Sequence, residues 1–309
     1  MNFHLRNFSK IYKMNQNIRK IVLLSLFCVS LLSAFCQTSF TMTNDKGHYY
    51  INTVVNGHDS VWIFIESGIP GLLINEKDYN TLFTDSLFEQ VDTGYSEIKF
   101  QHGSHIVSRI KYGKVLIGDL SYQGNIYIID KYNKIGVPVH LLKNENDSTE
   151  NMIRFNFKNQ TLEFVGNGVV KTNKMHQYKM TEYNPMPVIE TTLSLSDEYG
   201  NNGLITGKFV FDLGNASALY ITTRNPDMLR FIKNNKFKIS TTQDRFTREI
   251  IGHGIFAPLC RIGKRTARNV SIGIDNNTSI SNTMGLIGPS LFDKGDVIID
   301  TKNNSIYYE

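Results

Sequence analysis

One short sequence pattern occurs twice in this 309-residue chain. Residues 64–68 read Phe-Ile-Glu-Ser-Gly and residues 210–214 read Val-Phe-Asp-Leu-Gly, and both follow an apolar run. Each copy has an acidic residue, one intervening residue and a glycine at the end of a stretch typical of a buried strand. This repetition predicts a chain of two similar units, each of which presents one carboxylate.

The elements around the two copies also match in order. A hairpin pattern precedes each acid, at residues 49–65 with an Asn-Gly turn and at residues 187–211 with a longer loop. A short helix is predicted after each acid, because Asn75 and Asn225 are good N-cap residues and Pro226 suits a first helical position. The repeat therefore extends well beyond the acidic segments.

Further matches continue to the end of the chain at nearly constant offset. They pair 115–118 with 260–263, 125–130 with 269–275, 135–137 with 286–288, and 153–165 with 297–309. Solenoid repeats have periods of roughly 20–50 residues, so this longer period indicates two lobes instead. We predict an all-β chain with an N-terminal lobe at 37–170 and a C-terminal lobe at 171–309.

Residues 1–36 have the pattern of a secretory signal peptide. The first 20 residues contain five basic and no acidic side chains, and residues 21–36 carry no charge. This apolar run is shorter than the about 20 residues that span a bilayer. We expect an exported protein, in the periplasm, at the cell surface or secreted, that begins near Gln37 and has no membrane span. Lipid attachment at Cys36 is the alternative, which the bulky Phe35 disfavours.

Charge and cysteine content exclude several classes of function. Without the five basic residues of the leader, 28 basic residues balance 28 acidic ones, which argues against nucleic-acid binding. Cys260 is the one cysteine after residue 36, so the sequence contains neither a disulfide framework nor a cysteine metal motif. We expect no metal and no cofactor.

The second acidic segment resembles the Asp-Thr-Gly-Ala/Asn-Ser turn of aspartic peptidases. Residues 211–217 read Phe-Asp-Leu-Gly-Asn-Ala-Ser, and residues 285–292 with 297–300 resemble the hydrophobic-hydrophobic-Gly segment and closing strand of that family. Two such lobes in one exported chain are similar to the retropepsin-like and pepsin-like proteins common in Bacteroidetes. The resemblance covers nearly all of residues 45–309 and is better in the second half.

This resemblance implies a fold of two acid-protease β-barrel lobes and a pair of catalytic acids, Glu66 and Asp212. In the family the two acids share one proton, the ionised acid activates a water, and the protonated acid polarises the scissile carbonyl. The resemblance also implies supporting roles, in the turns and in the contact between lobes, for further residues of the two motifs: Ser67, Gly68, Leu213, Gly214 and Ser217.

Two of these positions depart from the family pattern. Glu66 replaces the expected aspartate, and its extra methylene displaces the carboxylate by about 1.5 Å. A misplacement of that size can cost on the order of 10²-fold in rate. Leu213 replaces a hydroxyl residue that hydrogen-bonds across the lobes, and an unpaired buried partner costs about 1–3 kcal/mol.

Two functions from different classes follow from these observations. The first is an aspartic-type endopeptidase, a hydrolase acting on peptides or proteins through Glu66 and Asp212. The second is a catalytically inactive relative that binds a peptide or another ligand in the cleft between the lobes. A third reading treats each carboxylate as the cap of its own turn, but two copies in matching context favour an acid pair. We expect a monomer in which the two acids face each other across a pseudo-two-fold axis.

Overall fold

The computed structural model describes most of the chain from Thr38 to Glu309. The described residues are 38–92, 94, 96–100, 103–144, 150–166, 170–183, 186–197, 199–235, 237–243, 250–275, 280, 282–292 and 295–309. The predicted signal peptide and the alternative lipid site at Cys36 lie outside these residues. Within them, no helix has the length and apolar character that crossing a membrane requires.

Besides two single-turn 3-10 helices at Asp85–Leu87 and Val139–Leu141, the first half of the molecule contains twelve strands and one α-helix among the described residues. These are β1 (Thr38–Asp45), β2 (His48–Val55), β3 (His58–Glu66), β4 (Leu72–Ile74), α1 (Glu76–Leu82), β5 (Glu89–Gln90), β6 (Glu97–Phe100), β7 (Gly103–Ile117), β8 (Leu120–Ile129), β9 (Gly136–Pro138), β10 (Lys143–Asn144), β11 (Glu150–Asn156) and β12 (Thr161–Gly166).

The second half repeats this arrangement with ten strands and one helix in the described ranges. These are β13 (His176–Tyr183), β14 (Met186–Ser196), β15 (Asn202–Phe211), β16 (Leu219–Thr222), α2 (Pro226–Asn234), β17 (Ile239–Gln243), β18 (Ile250–Ile262), β19 (Arg265–Asp275), β20 (Gly285–Ile287), β21 (Asp296–Asp300) and β22 (Ser305–Tyr308). The predicted all-β fold is confirmed.

The strands around the two acids have the same topology in both halves. In the first half β3 runs parallel to β9, while β4 pairs parallel with β8 and antiparallel with β9. In the second half β15 runs parallel to β20, while β16 pairs parallel with β19 and antiparallel with β20. Each acid therefore stands at the end of a strand that is enclosed by the same set of neighbours.

The strand registers correct one of the sequence matches. Phe64 lies opposite Gly136, and Val210 lies opposite Leu286. Since Phe64 and Val210 each stand two residues before their acid, segment 286–288 corresponds to 136–138, and the predicted match with 135–137 was wrong by one residue. A slip of one residue still aligned apolar positions with apolar positions, so the sequence pattern did not detect it. Pro138 consequently occupies the place of Gly288.

The repeat is visible in the sheet that joins the halves. Hairpin β11–β12 and hairpin β21–β22 are the matched segments 153–165 and 297–309, and β11 pairs antiparallel with β21. In that pairing Arg154 lies opposite Ile298, its own equivalent in the repeat. The pseudo-two-fold axis therefore passes between these two residues. One hydrophobic core extends through both halves, and residues 39–309 form one compact unit.

The two helices begin where the sequence predicted. The Asn75 side chain accepts a hydrogen bond from the Asp78 N–H, and the Asn225 side chain accepts from Asp227 and Met228. Such caps satisfy N–H groups that lack a partner in the first helical turn. Each helix follows the short strand after its acidic segment, which keeps the two halves equivalent here too.

Candidate active site

The two predicted acids meet in the structure although they are 146 positions apart. Glu66 is the last residue of β3 and is 6% exposed, whereas Asp212 directly follows β15 and is 9% exposed. Their side chains share a hydrogen bond. The structure thus places one buried carboxyl group from each half in direct contact.

The glycine after each acid allows this close approach. A Cβ atom added at Gly68 would lie 2.5 Å from Cγ of Asp212, and one added at Gly214 would overlap the Glu66 carboxylate. Each glycine therefore packs against the acid of the opposite half. The contact between the two carboxyl groups therefore requires a glycine two residues after each acid, whatever the turn itself requires.

Ser67 makes the hydrogen bonds that connect the two motifs. Its hydroxyl donates to the carbonyl oxygen of Phe211 at 2.7 Å and accepts from the N–H of Leu213 at 2.9 Å, and the residue is fully buried. Leu213, the equivalent of Ser67, is 1% exposed in the hydrophobic core. It has no hydroxyl that could make the corresponding hydrogen bonds to the backbone of the first half. The N–H of Ser67 instead donates to the carboxylate of its neighbour Glu66.

Burial and backbone hydrogen bonds have opposing effects on Asp212. Burial raises the pKa of this carboxyl, since the charged form loses hydration. The N–H of Gly214, at 2.9 Å from Oδ1, then the hydrogen bond with Glu66 and the N–H groups of Asn215 and Gly68 lower the pKa again. These donors favour the ionised form of Asp212, although its pKa remains above the usual value.

Glu66 has fewer groups that favour its charge. Burial, the negative charge of Asp212 and the hydrogen bond with Asp212 raise the pKa of Glu66 well above its usual value. Lys134 and the N–H of Ser67 lower that pKa and only partly offset the increase. These surroundings therefore favour the shared proton on Glu66, with its hydrogen bond donated to an ionised Asp212.

The loops after the two acids differ in length. Five residues separate Glu66 from Leu72, whereas six separate Asp212 from Leu219, and the strand registers make these two leucines equivalent. The first half thus combines a loop that is one residue shorter with an acid that is one methylene longer. Because the longer side chain reaches its partner, the expected displacement of the Glu66 carboxylate does not separate the pair.

The sequence analysis missed two residues beside Glu66, namely Tyr132 and Lys134. Burial, followed by the nearby charge of Glu66, raises the pKa of Tyr132 well above its usual value. The Lys134 ammonium lies 4.0 Å from the ring centre of Phe64 and 5.5 Å from that of Tyr50. The only available signal was indirect: Phe64 stands two residues before Glu66, and alternation along a strand places the two on one face.

The corresponding region of the second half is apolar. Four buried residues form a cluster there, against which Leu286 packs: Met186, Val188, Val210 and Ile280. Val210 takes the place of Phe64, two residues before the acid. Among the described residues, this cluster therefore gives Asp212 no counterpart of the lysine and aromatic rings that accompany Glu66.

Ser217, which was expected to support the motif, lies in the loop after Gly214. Its N–H donates to Oδ1 of Asn215 at 3.1 Å, and the described contacts do not link its hydroxyl to either acid. In the described part of the chain, no group of three or more His, Cys, Asp or Glu side chains is placed to hold a metal ion.

A comparison with solved structures finds the same fold in a known protein. The crystal structure of an aspartic proteinase from Irpex lacteus superposes with a TM-score of 0.56 and 13% sequence identity, covering 88% of this chain and 97% of that chain. No protein-family model matches the chain. No curated protein sequence matches it either. The chain has the fold of an aspartic proteinase.

Proposed function

We propose that this protein is an exported aspartic-type endopeptidase that hydrolyses peptide bonds with a water held between Glu66 and Asp212. The observation that carries the proposal is the hydrogen bond between two buried carboxyl groups, one from each half of an aspartic-proteinase fold. Two carboxyl groups that share one proton are suited to combined base and acid catalysis. The pattern of residues 1–36 supports export.

The surroundings of the two acids assign different roles to them. Asp212 accepts hydrogen bonds from the backbone N–H groups of Gly214, Asn215 and Gly68, so it is the ionised member that acts as the base. Glu66 carries the shared proton and is the acid that donates to the substrate carbonyl oxygen. Fixed backbone donors need no reorganisation during the reaction, which favours this assignment.

The proposed reaction balances its protons with these two groups alone. Asp212 removes a proton from the water as the water oxygen attacks the carbonyl carbon, and Glu66 transfers its proton to the carbonyl oxygen. The tetrahedral intermediate then returns a proton to Glu66 and breaks its C–N bond, while Asp212 gives its proton to the leaving amine. The pair finishes with Glu66 protonated and Asp212 ionised, ready for another cycle.

An inactive, peptide-binding protein is the second candidate, and Leu213 favours it. This residue is buried in the core where a hydroxyl would return the hydrogen bonds that Ser67 makes. The second half therefore does not support Glu66 as firmly as the first half supports Asp212. A loss of catalysis with retention of the cleft would produce this pattern.

Digestion of a peptide library by matched variants tests the proposal. We expect the wild type to cleave, and Asp212→Asn and Glu66→Gln each to lose about 10²–10⁴-fold in rate, the range for general acid–base groups. Asp300→Asn is the control, because it neutralises another buried carboxylate, which caps a turn at Asn303.

The digestion should be followed over about pH 3–8. The raised pKa values of both acids keep one proton on the pair at pH values above the strongly acidic range. Thermal melts confirm that each variant is folded. A folded wild type that cleaves no member of the library at any pH would contradict the proposal and favour the binding protein.

A further inference from the structure

A lysine and three aromatic side chains form a cluster on the face of β2 and β3 that carries Glu66. Tyr50 and Phe64 are directly opposite in the strand register, with ring centres 5.2 Å apart, and the His48 ring contacts Phe64 edge-on at 5.2 Å. The Lys134 ammonium lies over the Phe64 ring. We refer to His48, Tyr50, Phe64 and Lys134 as the aromatic–lysine cluster.

The cluster lies directly beside the acid pair. Phe64 and Glu66 point to one face of β3, and two residues of a strand span about 7 Å. Lys134 is near enough to Glu66 for its charge to act on that carboxyl. The same face continues to Trp62, which is 53% exposed and lines an open cavity of about 260 Å³ together with Lys134. The cavity thus reaches the cluster at Lys134.

The Lys134 ammonium has no ion pair among the described residues. Asp78 lines the same cavity, but its carboxylate accepts a hydrogen bond from the Asn75 amide at 2.6 Å and forms no ion pair with Lys134. The acid pair with one proton holds one negative charge, which acts on Lys134 without a direct ion pair. A half-buried ammonium that contacts aromatic rings and has no direct ion pair can still gain from an arriving anion.

The fold itself does not require a charge at this position. The strand registers align the four residues of the cluster with apolar residues of the second half: Met186, Val188, Val210 and Met284. The second half builds the same topology without a cation or an aromatic ring at these places. The aromatic–lysine cluster is therefore a feature of one side of the site.

We infer that Lys134 determines specificity by binding the carboxylate of an aspartate or glutamate side chain of a peptide that lies beside the acid pair. The half-buried ring of Tyr50 contacts the aliphatic part of that side chain, while Phe64 holds the Lys134 ammonium in place. The inference rests on the proposed function insofar as the ligand is a peptide in the cleft. Recognition of the carboxylate does not itself require catalysis.

Peptide libraries that differ in a single residue type test this inference. Two libraries are identical except that one contains Glu where the other contains Gln. Binding is measured on the Asp212→Asn protein by calorimetry and by the fluorescence of Trp62, the only tryptophan of the chain. Cleavage of the same libraries is measured on the protein with Asp212 intact.

We expect Glu peptides to bind about 10- to 100-fold more tightly than Gln peptides, as for a hydrogen bond to a charged group. Lys134→Met and Lys134→Gln should both reduce this ratio to about one, whereas Lys134→Arg should preserve most of it. Lys77→Met is the matched control, because it removes an exposed lysine of α1 and the same net charge. Two neutral variants are used so that a folding defect in one does not decide the result.

The outcomes separate this inference from the proposed function. Charge-selective binding that depends on Lys134, without any cleavage, would support the inference and contradict the peptidase. Cleavage in which the preference for Glu over Gln peptides is the same in the wild type and in both neutral variants would support the peptidase and contradict the inference. A change in the pH profile alone would mean that Lys134 acts only on Glu66, and it would overturn the inference. Failure of every variant to bind either library would overturn both.

Discussion

The two halves of this molecule share a topology but give their acids different surroundings. Glu66 lies beside Lys134 and the ring of Phe64, whereas Asp212 lies beside the aliphatic Val210 and its apolar neighbours. Strand pairing determines where a carboxylate is placed, whereas its burial, its partner acid and the N–H groups that donate to it determine which charge state it favours. A structural repeat can therefore hold two acids with different functions.

The side-chain hydroxyl that links the two acidic motifs also comes from one half only. Ser67 of the first half hydrogen-bonds to the backbone of Phe211 and Leu213, and the N–H of Gly68 donates to Asp212. The second half contributes no hydroxyl in return, because Leu213 stands at the equivalent position. The first half thus orders the backbone and carboxylate at Asp212 of the second half, and this division can be tested by paired substitutions.

The largest difference between the halves is expected at Gly288 and Pro138. A Cβ atom added at Gly288 would overlap the backbone carbonyl oxygens of Ser217 and Asn215. Backbone atoms cannot move as cheaply as a flexible side chain, so Gly288→Ala should destabilise the protein by about 3 kcal/mol or more. Pro138→Ala should cost only about 1 kcal/mol, mainly through the greater freedom of the unfolded chain.

Urea unfolding of both variants measures this difference. The wild type and an exposed substitution in the same region provide the baseline, and a constant slope against urea shows that only stability changed. Equal costs for Gly288→Ala and Pro138→Ala would contradict the close approach of the Ser217 and Asn215 carbonyl groups to Gly288.

Two serines, one from each motif, give the second comparison. Ser67→Ala removes the partner of two buried backbone groups, the Phe211 carbonyl and the Leu213 N–H, each of which costs about 1–3 kcal/mol when unpaired. Ser217→Ala deletes the same atom from a residue whose hydroxyl makes no described hydrogen bond, so it should change stability by less than about 0.5 kcal/mol.

Denaturant curves of both serine variants, with Ser67→Thr as a control that keeps the hydroxyl, test this prediction. We also expect Ser67→Ala to reduce any turnover more than Ser217→Ala, because only Ser67 positions the backbone next to Asp212. Similar losses of stability in the two variants would show that the cross-connection does not hold the halves together.

Local patterns were sufficient to predict much of this architecture. The alternating runs before Glu66 and Asp212, the asparagine caps and the glycines after each acid act over a few residues, and the structure contains the hairpins and helices that they indicate. The meeting of the two acids followed from the repeat, because equivalent segments of a two-fold arrangement approach the same axis.

Other features depend on contacts between distant segments and left no local signal. The position of Lys134 over Phe64 follows from the register of β9 against β3, which the sequence match placed one residue away. The location of the shared proton depends partly on the N–H of Gly68, which reaches Asp212 from the other half. A pattern read along one strand contains neither piece of information.

The smallest expected effect concerns pH, where Glu66 of the first half and Asp197 of the second half should respond with opposite sign. Glu66 has a pKa in the folded state well above the about 4.3 of an unfolded glutamate, so the folded state binds more protons above that pH. Stability should therefore fall as pH rises from about 4.3 towards the folded pKa of Glu66. Glu66→Gln should flatten this decrease, leaving the part that the raised pKa of Asp212 contributes.

Asp197, in the second half, supplies the matched control. Hydrogen bonds from Asn201 and from backbone N–H groups lower the pKa of Asp197, so its contribution is present above the about 3.9 of an unfolded aspartate and is lost as pH falls. Asp197→Asn should consequently lower the melting temperature above about pH 3.9 and change it least at strongly acidic pH, so its pH-dependent effect has the opposite sign to that of Glu66→Gln. Melting temperatures of the two variants and the wild type over a pH series measure both effects. A wild type whose stability shows no Glu66-dependent decrease above about pH 5 would show that Glu66 is ionised in the folded protein, and the proton would then have to be assigned to Asp212.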